Sequence, residues 1–128
     1  MGWTIWIIIG GIWGGLAVIS GAFGAHALKS RLAPDLLQTF ELAVRYHMYH
    51  ALALLAVGLL GTRVDLTALH VAGAFFVAGS LIFSGSLYTL ALTNTRWLGA
   101  VTPIGGVLLI LGWFTLAYVA FAMRAPST

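Results

Sequence analysis

The chain has 128 residues, 61% of them hydrophobic before its 16 glycines are counted, and only 7% are charged. A soluble domain carries about 25% charged residues and about 45–50% apolar ones with glycine included, so a water-soluble fold, a disordered chain and a nucleic-acid-binding surface are all excluded. Six cations against three anions give a net charge of +3, informative about membrane orientation, and the absence of cysteine removes disulfides, thiolate metal sites and thiol redox chemistry.

Stretches without an ionised side chain mark the spans. They run from Met1 to Leu28, Tyr46 to Thr62, Leu66 to Thr95 and Trp97 to Met123. Each can hold the roughly 20 apolar residues that cross about 30 Å of hydrocarbon as a helix. In lipid the backbone must satisfy its own hydrogen bonds, which favours helices. The expected helices are 3–27, 38–60, 66–92 and 97–123, in one transmembrane domain covering residues 1–128. The fold class is therefore an all-α integral membrane protein, an up-down bundle of four transmembrane helices with short loops.

Helix one ends in Ala25-His26-Ala27, which has the look of a signal-peptide cleavage site. It lacks a basic leader, however, and its apolar run is too long, so it is read as a retained span. It carries Gly10-x-x-x-Gly14 and Gly11-x-x-x-Gly15, continued by Ala17, Gly21 and Ala25. Such rows let helix backbones approach closely, either inside one bundle or across a homo-oligomer seam. The link that follows contains Pro34-Asp35, suited to a helix start with its acid near the positive end of the helix dipole. From Asp35 to Arg45 the chain is amphipathic and is expected to enter the membrane through the interface. The connections at 61–65 and 93–96 are turn-sized, with Gly, Asp and Asn. Pro103, early in helix four, is expected to kink it.

Four spans place both termini and the 61–65 loop, with Arg63 and Arg124, on one side. Lys29, Arg31, Arg45 and Arg96 lie on the other. Four cations against two put the 28–45 and 93–96 loops in the cytoplasm and the termini outside, in a bacterial inner membrane.

Polar residues within spans are costly and mark sites worth weighing. By depth they gather at the cytoplasmic end. His26 closes helix one; Glu41, Arg45, Tyr46, His47, Tyr49 and His50 open helix two; Ser84, Ser86 and Tyr88 end helix three; Thr102 begins helix four. At about 1.5 Å per residue, His50, Ser84 and Thr102 are expected roughly 8–12 Å below one interface. The expected ligand-binding set is His26, Arg45, His47, His50, Ser84, Ser86, Tyr88 and Thr102. It would form a one-sided polar pocket for a lipid or small amphiphile, with Arg45 and Lys29 on an anionic head group, or the chain would serve as a small accessory or assembly component. The opposite half reads as apolar, with His70 near its loop as an interfacial residue. Glu41 and Arg45, spaced i,i+4, suit an ion pair.

Other readings compete with this one. Arg45 and the tyrosines also fit an interfacial belt, with the histidines merely joining helices. His26, His47 and His50 suit a metal site in residue type, and histidines on neighbouring helices suit haem, although no carboxylate or thiol reinforces either. No cofactor is expected. No catalytic spacing is present, so the chain reads as non-enzymatic, and a lipid-modifying activity has only fold-level analogy behind it. A small transporter would want an acid within a span, whereas Asp35, Glu41 and Asp65 sit at interfaces.

Four motifs in order carry a family resemblance: residues 21–28 (GAFGAHAL), 45–54 (RYHMYHALAL), 83–88 (FSGSLY) and 102–106 (TPIGG) with Gly112-Trp113. The chain resembles the family catalogued as domain of unknown function 423, which includes YgdD-type bacterial inner-membrane proteins and is similar to transmembrane protein 256 of animals. The resemblance spans nearly the whole chain. It implies an integral inner-membrane protein and brings no established activity and no catalytic residue.

Overall fold

A computed structural model describes residues 2–124, so residue 1 and residues 125–128 of the expected domain lie outside it. Helix α1 is Thr4–Phe23, and it continues into a wide π turn over Gly24–Leu28. Helix α2 is Pro34–Gly61 and α3 is Thr67–Thr93. A short 3-10 turn, Arg96–Ala100, precedes α4, Thr102–Met123. All four helices are long and apolar enough to cross a membrane.

Two boundaries differ from expectation for one reason. Pro34 sits at the start of α2, a turn ahead of the expected residue 38, and Pro103 sits at the start of α4. Proline lacks only an N–H that the first helical turn leaves unpaired, so it opens a helix there without penalty. Pro103 therefore starts α4 and does not kink it, and the approach is made by the separate 3-10 turn. The α3–α4 connection reverses at Asn94, whose φ of 53° lies in the left-handed region. Asparagine is the residue after glycine that most readily ends a helix this way. On the same side Arg96 Nη2 donates to Asp35 Oδ2 at 2.9 Å, joining the start of α2 to the turn before α4. Asp35 stands on the aqueous first turn, ahead of the span, where the hydrogen bond from Arg96 holds its carboxyl below the usual carboxylate range.

Each helix packs chiefly on its sequence neighbours, so α2 and α3 form the middle of the bundle with α1 and α4 against them. The core is built from Leu54 and Val57 of α2, Leu69, Ala72 and Phe76 of α3, and Leu109 and Val119 of α4. Outward faces are apolar as well, for example Ile19 at 66% exposure and Phe121 at 76%, a surface suited to lipid and not to water.

Glycine sets the interhelical distance. A Cβ at Gly10 would meet Leu55 Cδ2 at 2.9 Å and the Ala51 carbonyl at 3.1 Å, and one at Gly24 would meet the Phe40 ring at 2.9 Å. The row through Gly10, Ala17 and Gly24 is thus buried within the chain, with Gly10 and Gly24 against α2. Gly11 and Gly15, a quarter-turn away, have nothing within 4 Å and face outward.

Candidate functional site

Three histidines lie inside the bundle, and each is held by an aromatic N–H or O–H. Trp113 Nε1 of α4 donates to His50 Nε2 at 3.1 Å, while His50 Nδ1 donates to the Tyr46 carbonyl at 2.6 Å. This pair of bonds fixes a neutral imidazole with its proton on Nδ1. His47 Nδ1 and the Tyr88 hydroxyl share a hydrogen bond of 2.9 Å, and the Trp13 ring meets His47 edge-on at 5.8 Å. Trp6 Nε1 donates to His70 Nδ1 at 2.9 Å, and Trp3 stacks on the same imidazole at 4.0 Å.

Smaller polar links fill the levels between. Trp13 Nε1 donates to Ser80 Oγ at 2.8 Å, and Ser84 Oγ donates to the Ala43 carbonyl at 2.8 Å. Ser86 Oγ and Thr102 Oγ1 share a hydrogen bond of 2.7 Å between α3 and α4. Among the described residues no buried side-chain nitrogen or oxygen lacks a partner. In hydrocarbon an unpaired polar group is costly, so these links tie the helices in register.

The expected one-sided pocket is therefore redistributed. Five of its eight residues, Arg45, His47, His50, Ser84 and Tyr88, fall into three clefts. The largest, about 710 Å³, is a groove between α2 and α4 that includes Tyr46, Tyr49, His50, Ala53, Gly106 and Trp113. A second, about 200 Å³ between α1 and α3, includes Trp13, His47, Ser80, Ser84, Gly85 and Tyr88. A third, about 260 Å³ where the wide turn meets α2, has Arg45 and Glu41 beside Gly21, Gly24 and Phe40. His26 is exposed on the wide turn and lines none of these three. Ser86 and Thr102 are buried against each other and line none of them either.

Rotation about the helix axes separates His47 from His50, and the depths also differ from expectation. Because α2 begins at Pro34, His47 lies at the middle of its 28 residues, beyond the roughly 8–12 Å expected from the interface for its neighbour His50. The far half of the bundle is not purely apolar either, since Trp13–Ser80 and Trp6–His70 continue the polar links to the opposite end. His70, in the first turn of α3, is half-buried against Trp3 and Trp6 at the start of α1. Indole N–H groups are the missed signal: tryptophan counts as apolar in composition yet carries a donor that seeks a partner when buried.

The three histidines His26, His47 and His50 are not brought together as one ligand set among the described residues. Both ring nitrogens of His50 are engaged, His26 stands apart from His47, and no group of three His, Asp or Glu among the described residues could hold a metal ion. Glu41 and Arg45 do not pair; the ion pair formed among the described residues is Arg96–Asp35. Exposed pairs on a helix gain little over hydration, so i,i+4 spacing alone does not close one.

Comparison with known proteins adds the family context. The family model described as "Protein of unknown function (DUF423)" matches residues 20–106. UPF0382 membrane protein SSP2132 of Staphylococcus saprophyticus is 45% identical over 117 residues, covering 91% of this chain and 97% of that protein. UPF0382 membrane protein SERP0230 of Staphylococcus epidermidis is 46% identical over 112 residues, covering 88% and 91%. UPF0382 membrane protein YwdK of Bacillus subtilis is 43% identical over 117 residues, covering 91% and 95%. No solved structure matches.

Proposed function

The chain belongs to the DUF423 family, whose relatives are named UPF0382 membrane proteins, and on that premise we propose that it is a non-enzymatic lipid- or amphiphile-binding protein of the cytoplasmic membrane. The α2–α4 groove carries this reading. Its volume of about 710 Å³ falls within the roughly 300–1,000 Å³ usual for small-molecule sites. The walls are aliphatic and aromatic, with Tyr46 stacked on Phe83 at 4.5 Å, and suit an acyl chain. His50, the groove's histidine, is saturated by Tyr46 and Trp113 and offers no free nitrogen for chemistry. Arg45, exposed on α2 a little short of its midpoint, has a side chain long enough to extend toward the cytoplasmic interface and supply a cation for an anionic head group. The cation distribution favours the 28–45 and 93–96 loops on the cytoplasmic side and the termini outside.

The test is native mass spectrometry of protein extracted in mild detergent, which reports retained lipid and oligomer number together. A Cβ at Gly106 would lie 3.8 Å from the Phe83 ring, an ordinary contact, so Gly106→Leu fills the groove without displacing a helix. Wild type should retain lipid and Gly106→Leu should lose most of it. Equal retention by both would refute the groove as the site.

A further inference from the structure

His47 is more than nine-tenths buried, at 9% exposure, yet only one of its nitrogens is bonded. Its Nδ1 meets the Tyr88 hydroxyl, while no hydrogen bond is formed by Nε2 among the described residues. Since no buried polar side-chain atom is left without a partner there, Nε2 is reachable, and the 200 Å³ cleft between α1 and α3 is the one His47 lines. The other polar groups of that cleft have their protons committed. Trp13 donates to Ser80, Ser80 to the Val77 carbonyl and Ser84 to the Ala43 carbonyl.

The His47–Tyr88 bond can run in two directions. If the Tyr88 hydroxyl donates to Nδ1, the imidazole proton sits on Nε2 and points a donor into the cleft. If Nδ1 donates to Tyr88, Nε2 becomes a bare acceptor, and the Tyr88 hydroxyl turns to Ser20, its second polar neighbour. Either state leaves one hydrogen-bonding position open. It offers a donor to a carbonyl or an acceptor to a hydroxyl, with no change of charge.

Depth narrows what can occupy it. His47 is central in Pro34–Gly61, Ser80 in Thr67–Thr93 and Trp13 in Thr4–Phe23, so the cleft lies at mid-membrane. The ester carbonyls of a phospholipid stay near the interface, about 15 Å away across half of a 30 Å hydrocarbon layer. A charged group is disfavoured at that depth. Trp13, Leu16 and Leu81 give the cleft apolar walls.

We infer that the α1–α3 cleft binds the ring of a neutral quinone or its quinol, with His47 Nε2 donating to the carbonyl of the one and accepting from the hydroxyl of the other. The site shares no residue with the α2–α4 groove and stands independently of that reading. It is a binding site for either form and involves no electron transfer.

The probes are decyl-benzoquinone, its reduced quinol, decanol and dioleoyl phosphatidylglycerol, each added to the full chain in mild detergent and read by native mass spectrometry. A Cβ at Gly85 meets nothing within 4 Å, so Gly85→Leu fills the cleft without disturbing a helix contact. Wild type should retain one quinone or quinol per chain. Gly85→Leu and His47→Phe should each lower occupancy at least tenfold, Gly85→Leu with an unchanged circular dichroism melt. Gly106→Leu, which fills the other groove, should bind quinone as wild type does while losing lipid. The inference is overturned if wild type retains no quinone, if Gly85→Leu binds it equally, or if decanol or the phospholipid occupies the cleft in its place. Quinone lost from Gly106→Leu but kept by Gly85→Leu would move the ring to the α2–α4 groove and equally overturn it.

Discussion

Replacing Gly105 by alanine tests whether α3 and α4 are held at backbone contact. A Cβ there would lie 2.8 Å from the Gly79 carbonyl oxygen and 2.9 Å from Phe83 Cα, and it would also strike the Phe83 amide nitrogen. These are backbone atoms and cannot swing aside. Ordinary contact begins near 3.4 Å, so the helices must separate by roughly 0.5 Å or more. Ser86 and Thr102 bridge the same two helices one turn away at 2.7 Å, and that bond weakens with the separation. Overpacking costs about 1–3 kcal/mol, and the weakened bond adds up to about 0.6 kcal/mol. Alanine's better helix propensity returns about 1 kcal/mol. Against wild type the expected net loss is about 0–2.6 kcal/mol; against Gly11→Ala, which gains the same propensity without the clash, it is about 1–3.6 kcal/mol, or about 5- to 400-fold in the unfolding equilibrium. The assay is reversible unfolding in mixed micelles of rising dodecyl sulfate content, followed by circular dichroism. Gly11→Ala is the control, since its Cβ meets nothing within 4 Å and should leave stability equal or slightly higher. A Gly105→Ala protein within about 0.3 kcal/mol of an unweakened Gly11→Ala protein would refute the reasoning, given the 1–3 kcal/mol that overpacking should cost. A Gly11→Ala protein as weakened as Gly105→Ala would show that the outward face is covered by another copy.

Trp113→Phe keeps the ring against Phe76 but removes the donor to His50 Nε2; it should destabilise the same unfolding transition by about 0.6–2 kcal/mol, and no change would mean the bond is not formed in lipid. The Asp35 carboxyl is held below its ordinary value of 3.8, so its stabilising contribution is full above that value and is lost as pH falls through the lowered one. Both partners are more than half exposed, so the effect is small, and Asp35→Asn should remove this component from an acid unfolding curve. Because the chain has no cysteine, single cysteines report topology directly. Thr62→Cys should be labelled by an impermeant maleimide on intact cells and Ser30→Cys only after lysis; the reverse pattern would invert the orientation.

Much of the fold was legible because lipid leaves the backbone few choices. The charge-free stretches, Pro34 at a helix start and the turn at Asn94 all follow from local rules that hold regardless of neighbours. Site residues were legible by type more than by arrangement. His47, His50, Ser84, Ser86, Tyr88 and Thr102 do make the bonds that cross between helices, but sequence depth alone grouped them into one pocket. Rotation about each helix axis decides which cleft a side chain enters, and a change of one residue turns it by about 100°. His47 and His50 illustrate this: three residues apart on one helix, one opens to the α1–α3 cleft and the other to the α2–α4 groove.

The 7% of charged residues determined, without any structure, that this chain lives in a membrane and crosses it four times, because hydrocarbon tolerates little else. Only the tertiary structure decided that Gly10 packs inward while Gly11 faces out, and that the indoles of Trp6 and Trp113, counted as apolar, donate to His70 and His50 and hold them in place. Those outcomes depend on the relative rotation and spacing of helices far apart in sequence. They are fixed by the close approach of helices at glycine and by the fit of N–H to imidazole across helix interfaces.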